Sequence, residues 1–119
     1  MDAINKGKEA ETAACRYLER RGMRLVTRNY RSRRGEIDLI MMDRENLVFV
    51  EVRYRRRSDF GSGAESVHPG KQKKLIACAY SYLQRHPESA RRPGRFDVVS
   101  ITPDRKGMHI QWIPNAFTL

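Results

Sequence analysis

Two nearly continuous apolar runs, Glu36-Ile37-Asp38-Leu39-Ile40-Met41-Met42 and Leu47-Val48-Phe49-Val50-Glu51-Val52-Arg53, are separated only by the polar stretch Asp43-Arg44-Glu45-Asn46. So short a connection between two β-prone segments predicts an antiparallel hairpin. Neither run alternates apolar with polar residues, as a strand with one wet face does. Both are therefore expected in the middle of a sheet covered by helices.

A turn centred between Arg44 and Glu45 sets Met42 opposite Leu47, Ile40 opposite Phe49, and Asp38 opposite Glu51, with Glu36 opposite Arg53. Directly opposed residues have Cβ atoms only ~4.5–5.5 Å apart, and like charges at that spacing repel. Two carboxylates placed so require a positive charge. A hard divalent cation supplies one, and Mg²⁺ commonly takes one or two carboxylates together with water and phosphate. Arginine supplies one too, and Arg53 stands on the same face two residues beyond Glu51, so a structural ion pair is the alternative. A one-residue slip of register would send the acids to opposite faces.

The rest of the chain encloses this hairpin. Ala10, Ala13, Ala14, Tyr17 and Leu18 follow helical spacing and predict a helix over residues 8–21, with Gly22 as its stop. Met23 to Tyr30 is a short strand, and Arg31-Ser32-Arg33-Arg34-Gly35 an exposed basic turn. Residues 54–66 read as a glycine-containing loop. A second helix is predicted from Pro69 to about Arg85, its buried stripe being Gln72, Leu75, Ile76, Ala79, Tyr80 and Leu83. Arg95–Ile101 and Met108–Ile113 are two further strands around the turn residues Pro103–Gly107. The predicted fold is α/β (α+β): one domain over residues 1–119, a mixed sheet with flanking helices in the order α-β-β-β-α-β-β. Asp97, on an apolar strand, reads as a structural hydrogen-bonding group. Trp112 reads as core.

Lys and Arg total 24 against 14 Asp and Glu, a formal charge of +10. A polyanion relieves the self-repulsion of such a chain, and nucleic acid does so with release of condensed counterions. Arg53, Arg55, Arg56 and Arg57 run out of the strand that carries Glu51. Arg31, Arg33 and Arg34 precede the strand that carries Asp38, so both clusters flank the same end of the hairpin and form an expected phosphate track. The bland alternative is a solvated charged rim. Cys15 and Cys78 fall in helical apolar patterns, without metal-ligand or disulfide spacing, and are expected as reduced core residues. His68, His86 and His109 are scattered and expected at the surface. The first residues have no signal-peptide character and no run is long enough to span a membrane, so a cytoplasmic location without membrane contact is expected.

Gly35-Glu36-Ile37-Asp38-Leu39-Ile40, Val48-Phe49-Val50-Glu51-Val52-Arg53 and Arg95-Phe96-Asp97-Val98-Val99 resemble the YraN family of bacterial proteins. So do Gly7-x3-Glu11-x2-Ala14-x2-Tyr17-Leu18 and Arg28-Asn29-Tyr30-Arg31, and the likeness covers nearly the whole chain. The family's fold is similar to restriction endonucleases and archaeal Holliday-junction resolvases, the PD-(D/E)XK nucleases. That resemblance implies a Mg²⁺- or Mn²⁺-dependent endonuclease hydrolysing phosphodiesters, with branched DNA as one substrate and DNA favoured over RNA. It assigns Asp38 and Glu51 as the two motif acids, Glu11 as an additional metal-holding acid, and Gln72 or Lys71 as the polar residue at the start of the second helix. It also makes a homodimer one expected assembly. Arg53 stands where the motif has lysine. A guanidinium offers phosphate a planar fork but does not act as a base. The alternative function is therefore a nucleic-acid-binding protein that keeps the nuclease fold with weak or no turnover. A basic adaptor for partner proteins is a third.

Overall fold

The computed structural model describes residues 3–55 and 67–118. Arg56 and Arg57, and most of the loop expected over 54–66, lie outside the described residues. The elements are α1 (Ala3–Arg20), β1 (Arg24–Ser32), β2 (Gly35–Asp43), β3 (Asn46–Tyr54), α2 (Pro69–Arg85), β4 (Gly94–Asp104) and β5 (Gly107–Phe117), with one 3-10 turn at Ser89–Arg91. They follow the predicted order α-β-β-β-α-β-β.

The five strands form one sheet in chain order, β1-β2-β3-β4-β5. Only β3 and β4 run parallel, because α2 carries the chain back across the sheet between them. The β2–β3 ladder adopts the predicted register, pairing Met42 with Leu47 and Ile40 with Phe49. Its turn holds Arg44 at φ 58°, in the left-handed region.

Each face of the sheet carries one helix. On the first, Ala10, Ala14, Cys15 and Leu18 of α1 pack on Leu39, Met41, Val48, Val50, Val99 and Ile101. Alanine side chains let the helix axis approach the sheet closely. Past Arg20 the chain turns through Gly22 at φ 93°, and Met23 N donates to Leu18 O at 3.1 Å, a left-handed stop that glycine adopts at little steric expense. On the second face, Leu75, Cys78, Ala79 and Tyr82 of α2 cover Ile37, Ile40, Phe49, Phe96 and Val98. Both cysteines are free and buried. His68 caps α2, its Nδ1 accepting from Gly70 N at 3.1 Å; His86 stacks on Tyr82 with ring centres 4.2 Å apart; His109 is exposed.

Three local expectations change. Tyr80, placed by spacing in the buried stripe of α2, is 51% exposed. The buried stripe is 75-78-79-82 instead, centred roughly 150° around the helix from Tyr80. β1 extends to Ser32, so the basic turn shrinks to Arg33 and Arg34 and Arg31 stands on a strand. Trp112 is only half-buried, with its indole Nε1 donating to Asp97 Oδ2 at 2.9 Å. Asp97 has no exposed surface and also accepts from Arg95 Nε at 3.0 Å and Asn115 N at 2.9 Å. Arg95 reaches on to Asp43 Oδ2 at 2.9 Å. Among the described residues no helix is long and apolar enough to cross a membrane.

Candidate active site

The sheet loosens at Asp38. The β2–β3 ladder ends at Leu39 and Val50, one position short of Asp38 and Glu51. The β1–β2 ladder passes from Arg28–Leu39 to Tyr30–Ile37 without an Asn29–Asp38 pair. Side-chain alternation slips at the same point: Ile37 and Ile40 both join the α2-side core, while Leu39 and Met41 join the α1-side core. Asn29, at φ 53°, is the irregular residue on β1, a conformation that Asn tolerates better than most side chains. The freed backbone is satisfied locally, with Val52 N donating to Asp38 Oδ2 at 2.8 Å.

Four acids gather around this gap. Glu11 from α1, Glu36 and Asp38 from β2 offer carboxylate oxygens within 4.8 Å of one another. Glu51 reaches Asp38 from β3, within side-chain hydrogen-bonding reach of its carboxyl. Each glutamate has a cation at hand. Arg28 Nη2 lies 3.7 Å from Glu11 Oε1, Arg31 Nε 3.1 Å from Glu36 Oε2, and Lys71 Nζ 3.0 Å from Glu51 Oε2. The lysine's approach is not that of a hydrogen bond, and Glu51 Oε2, buried, has no hydrogen-bond partner among the described residues. Asn29 ties the group together. In the amide orientation its neighbours require, its nitrogen donates to Glu11 Oε1 at 3.0 Å and Glu36 Oε1 at 2.8 Å.

Asp38 is the exception. Among the described residues it has no ion pair; the Val52 amide donates to it, and its other close polar neighbour is Glu51, itself an acid. Burial first, and then the neighbouring Glu51, push its carboxyl up to about 8. Three compensated glutamates thus surround one uncompensated aspartate, a site short of positive charge. Its donors are all carboxylate oxygens, the chemistry a hard divalent cation takes. The oxygens of Glu11, Glu36 and Asp38 therefore fit Mg²⁺ or Mn²⁺, so that Glu36 joins the expected acids and Glu51 borders the group through Asp38.

The residues predicted to bind nucleic acid separate into groups. Lys71 sits at the acids. Gln72 does not: its Nε2 donates to Val67 O at 2.9 Å and ties down the start of α2. Arg31 is engaged by Glu36. Arg33 and Arg34 line grooves against α2. Arg53 is partly buried beside Ser100 in the β3–β4 ladder, on the same face as Glu51 by strand alternation. Arg55, whose backbone N donates to Ile101 O at 2.9 Å, follows β3. Asn29 and Glu36 were not predicted as site residues. Strand counting could have found Glu36, two positions from Asp38, but a positive φ at Asn29 leaves no mark in sequence spacing.

Residues 10–101 match the uncharacterised protein family UPF0102, the YraN proteins. The chain belongs to this family. UPF0102 proteins similar to it include one from Nitrosococcus oceani, 54% identical over 113 residues, which cover 95% of this chain and 91% of that protein. Another, from Coxiella burnetii, is 51% identical over 110 residues, 92% of this chain and 89% of the relative. The UPF0102 protein of Stutzerimonas stutzeri is 47% identical over 116 residues, covering 98% and 97% of the two chains. In the present UPF0102 chain the matched segment runs from Ala10, just before Glu11, through to Ile101, and so holds all four acids and Lys71.

Proposed function

We propose that the protein is a divalent-metal-dependent endonuclease that hydrolyses phosphodiester bonds in DNA, with Asp38, Glu51 and Glu11 holding the cation and Glu36 beside them. The observation that carries this reading is the uncompensated Asp38 amid three paired glutamates. When bound, Mg²⁺ would supply a water of lowered pKa and neutralise charge growing on the phosphoryl oxygens.

The chain's own groups do the rest. Lys71 places an ammonium at Glu51, where the nuclease motif would otherwise draw its lysine from the position of Arg53. From there it can orient a water or meet a phosphoryl oxygen, while Arg53 offers a fork of N–H donors to phosphate. Asn29 and the three cations fix the carboxylates in place before substrate arrives, which lowers the reorganisation needed at the reaction. Lys71→Met is expected to lower the cleavage rate about 10²-fold with little change in DNA affinity. Rate and affinity measured separately on one labelled substrate check this, and an unchanged rate would remove Lys71 from the chemistry. A cytoplasmic setting is proposed with it, in keeping with two free buried cysteines.

The deciding experiment offers linear, flapped and four-way-junction DNA to the purified protein with Mg²⁺ or Mn²⁺. Metal-dependent cutting that Asp38→Ala and Glu51→Ala abolish is expected. No cutting of any substrate, or equal cutting by the variants, would leave the second reading: a DNA-binding protein without turnover, favoured by arginine at position 53. Calorimetric titration with Mn²⁺ tests the cation separately, and binding unaffected by Asp38→Ala would remove the metal site.

A further inference from the structure

The outer side of α2 carries a feature that the acid cluster does not use. Arg33 and Arg34, at the β1–β2 turn, stand across from Lys73, Lys74 and Arg85, and together with Tyr80 they border two adjoining grooves of about 480 and 550 Å³. None of the described residues lining them is acidic. Ala77 keeps the floor low between the two basic banks. Tyr80, half exposed, stands at one side. Behind it opens a mainly apolar recess of about 390 Å³ bordered by Leu47, Phe49, Leu83 and Ala90, within the range of roughly 300–1,000 Å³ usual for small-molecule pockets. Tyr80 borders both the basic groove and the recess.

A nucleotide has the same division, with an anionic backbone on one side and a flat, largely apolar base on the other. Duplex DNA keeps its bases stacked inside, so a base reaches such a recess only from an unpaired strand. The helix that borders the groove also carries Lys71, which lies at Glu51. Lys74, one turn beyond Lys71, lies beside Gly35, and Tyr80 stands nine residues on from Lys71, about 14 Å along the axis and half a turn around it. At the ~3.4 Å rise of a stacked strand the axial distance alone spans about four nucleotides.

We infer that α2 guides a single-stranded DNA segment, its phosphates lying between the Arg33–Arg34 turn and Lys73–Lys74, and one unpaired base stacked against Tyr80 over the apolar recess. This rests on the nuclease reading for its direction, since it makes the substrate a branched or flapped DNA whose free strand reaches Tyr80 at least about four nucleotides from the phosphate at Asp38 and Glu51.

Binding to fluorescein-labelled single-stranded, blunt duplex and flapped oligonucleotides, followed by anisotropy in EDTA, tests it apart from cleavage. Tyr80→Ala is expected to weaken single-strand and flap binding roughly tenfold, with the salt dependence unchanged, and Tyr80→Phe to retain it. Lys73→Ala should lower the single-strand salt slope by about 0.7. Blunt-duplex affinity should be unaffected by Tyr80→Ala. Because Tyr80 is half exposed, its replacement opens no core, and circular dichroism checks the fold. Equal single-strand binding by Tyr80→Ala, or equal losses for blunt duplex, would overturn the proposal, as would tighter binding of the matching RNA strand. Groove binding that persists in a protein that cuts nothing would overturn the nuclease reading and leave the strand groove standing.

Discussion

Replacing Asp38 by asparagine is expected to lower DNA cleavage at least about 10³-fold, equivalent to ~4 kcal/mol of lost transition-state stabilisation, while making the metal-free protein more stable at pH 8. The second effect follows from the carboxyl being pushed from 3.8 up to about 8 by burial and by Glu51. The folded state then holds this proton more tightly than the unfolded state. Its contribution to stability is fully present below about pH 4, and is lost as pH rises through about 8. The parent should therefore lose on the order of 2–4 kcal/mol between pH 4 and 8.5 from this group, and the asparagine variant should not. Urea midpoints at the two pH values, read from the fluorescence of the single Trp112, check the difference; parallel pH slopes in parent and variant would count against it. Adding Mg²⁺ at pH 8 should raise the parent's midpoint and leave the variant's where it was, because a ligand stabilises only the state that binds it.

Asp97→Ala should act in the opposite sense, through a hydrogen-bond network that includes none of the four acids. Asp97 is wholly buried and accepts from Arg95, Trp112 and the Asn115 amide. Its removal leaves the indole N–H and the Asn115 N–H without their acceptor, and leaves Arg95 with Asp43 alone. Losing one partner of a buried charged network costs about 3–5 kcal/mol, or roughly 10–20 °C in melting temperature for a chain of this size. Asp97→Asn keeps one acceptor oxygen and should lose less. Mn²⁺ affinity, titrated at a temperature where the variant is folded, should match the parent's. A large loss of metal binding without loss of stability would instead move Asp97 into the site.

Local chemistry made much of this legible. The hairpin register followed from a two-residue turn between apolar runs, because strand pairing propagates outward from the turn one residue at a time. The helix stripes of α1 and the stop at Gly22 followed from 3.6-residue spacing and glycine's access to positive φ. The burial of β2 and β3 on both faces followed from their unbroken apolar character. Tyr80 and Tyr82 were not separable in this way. Two tyrosines two residues apart both fit a helical stripe, and which one turns inward depends on where Phe49 and Tyr30 already fill the core: Tyr82 packs edge-on to both.

The candidate site divides along the same line. Sequence by itself determined the sheet, its hairpin register and the placing of Asp38 near Glu51, since each depends on residues close in the chain. Only the tertiary structure decided how charge is balanced there. Glu11 comes from α1, Lys71 from α2 and Asn29 from β1, and no local spacing says which of 24 basic residues reaches which acid. Coulomb interactions depend on distance through space, and the sheet brings these groups together only once both helices have packed on it. The result is three glutamates with cations and one aspartate without.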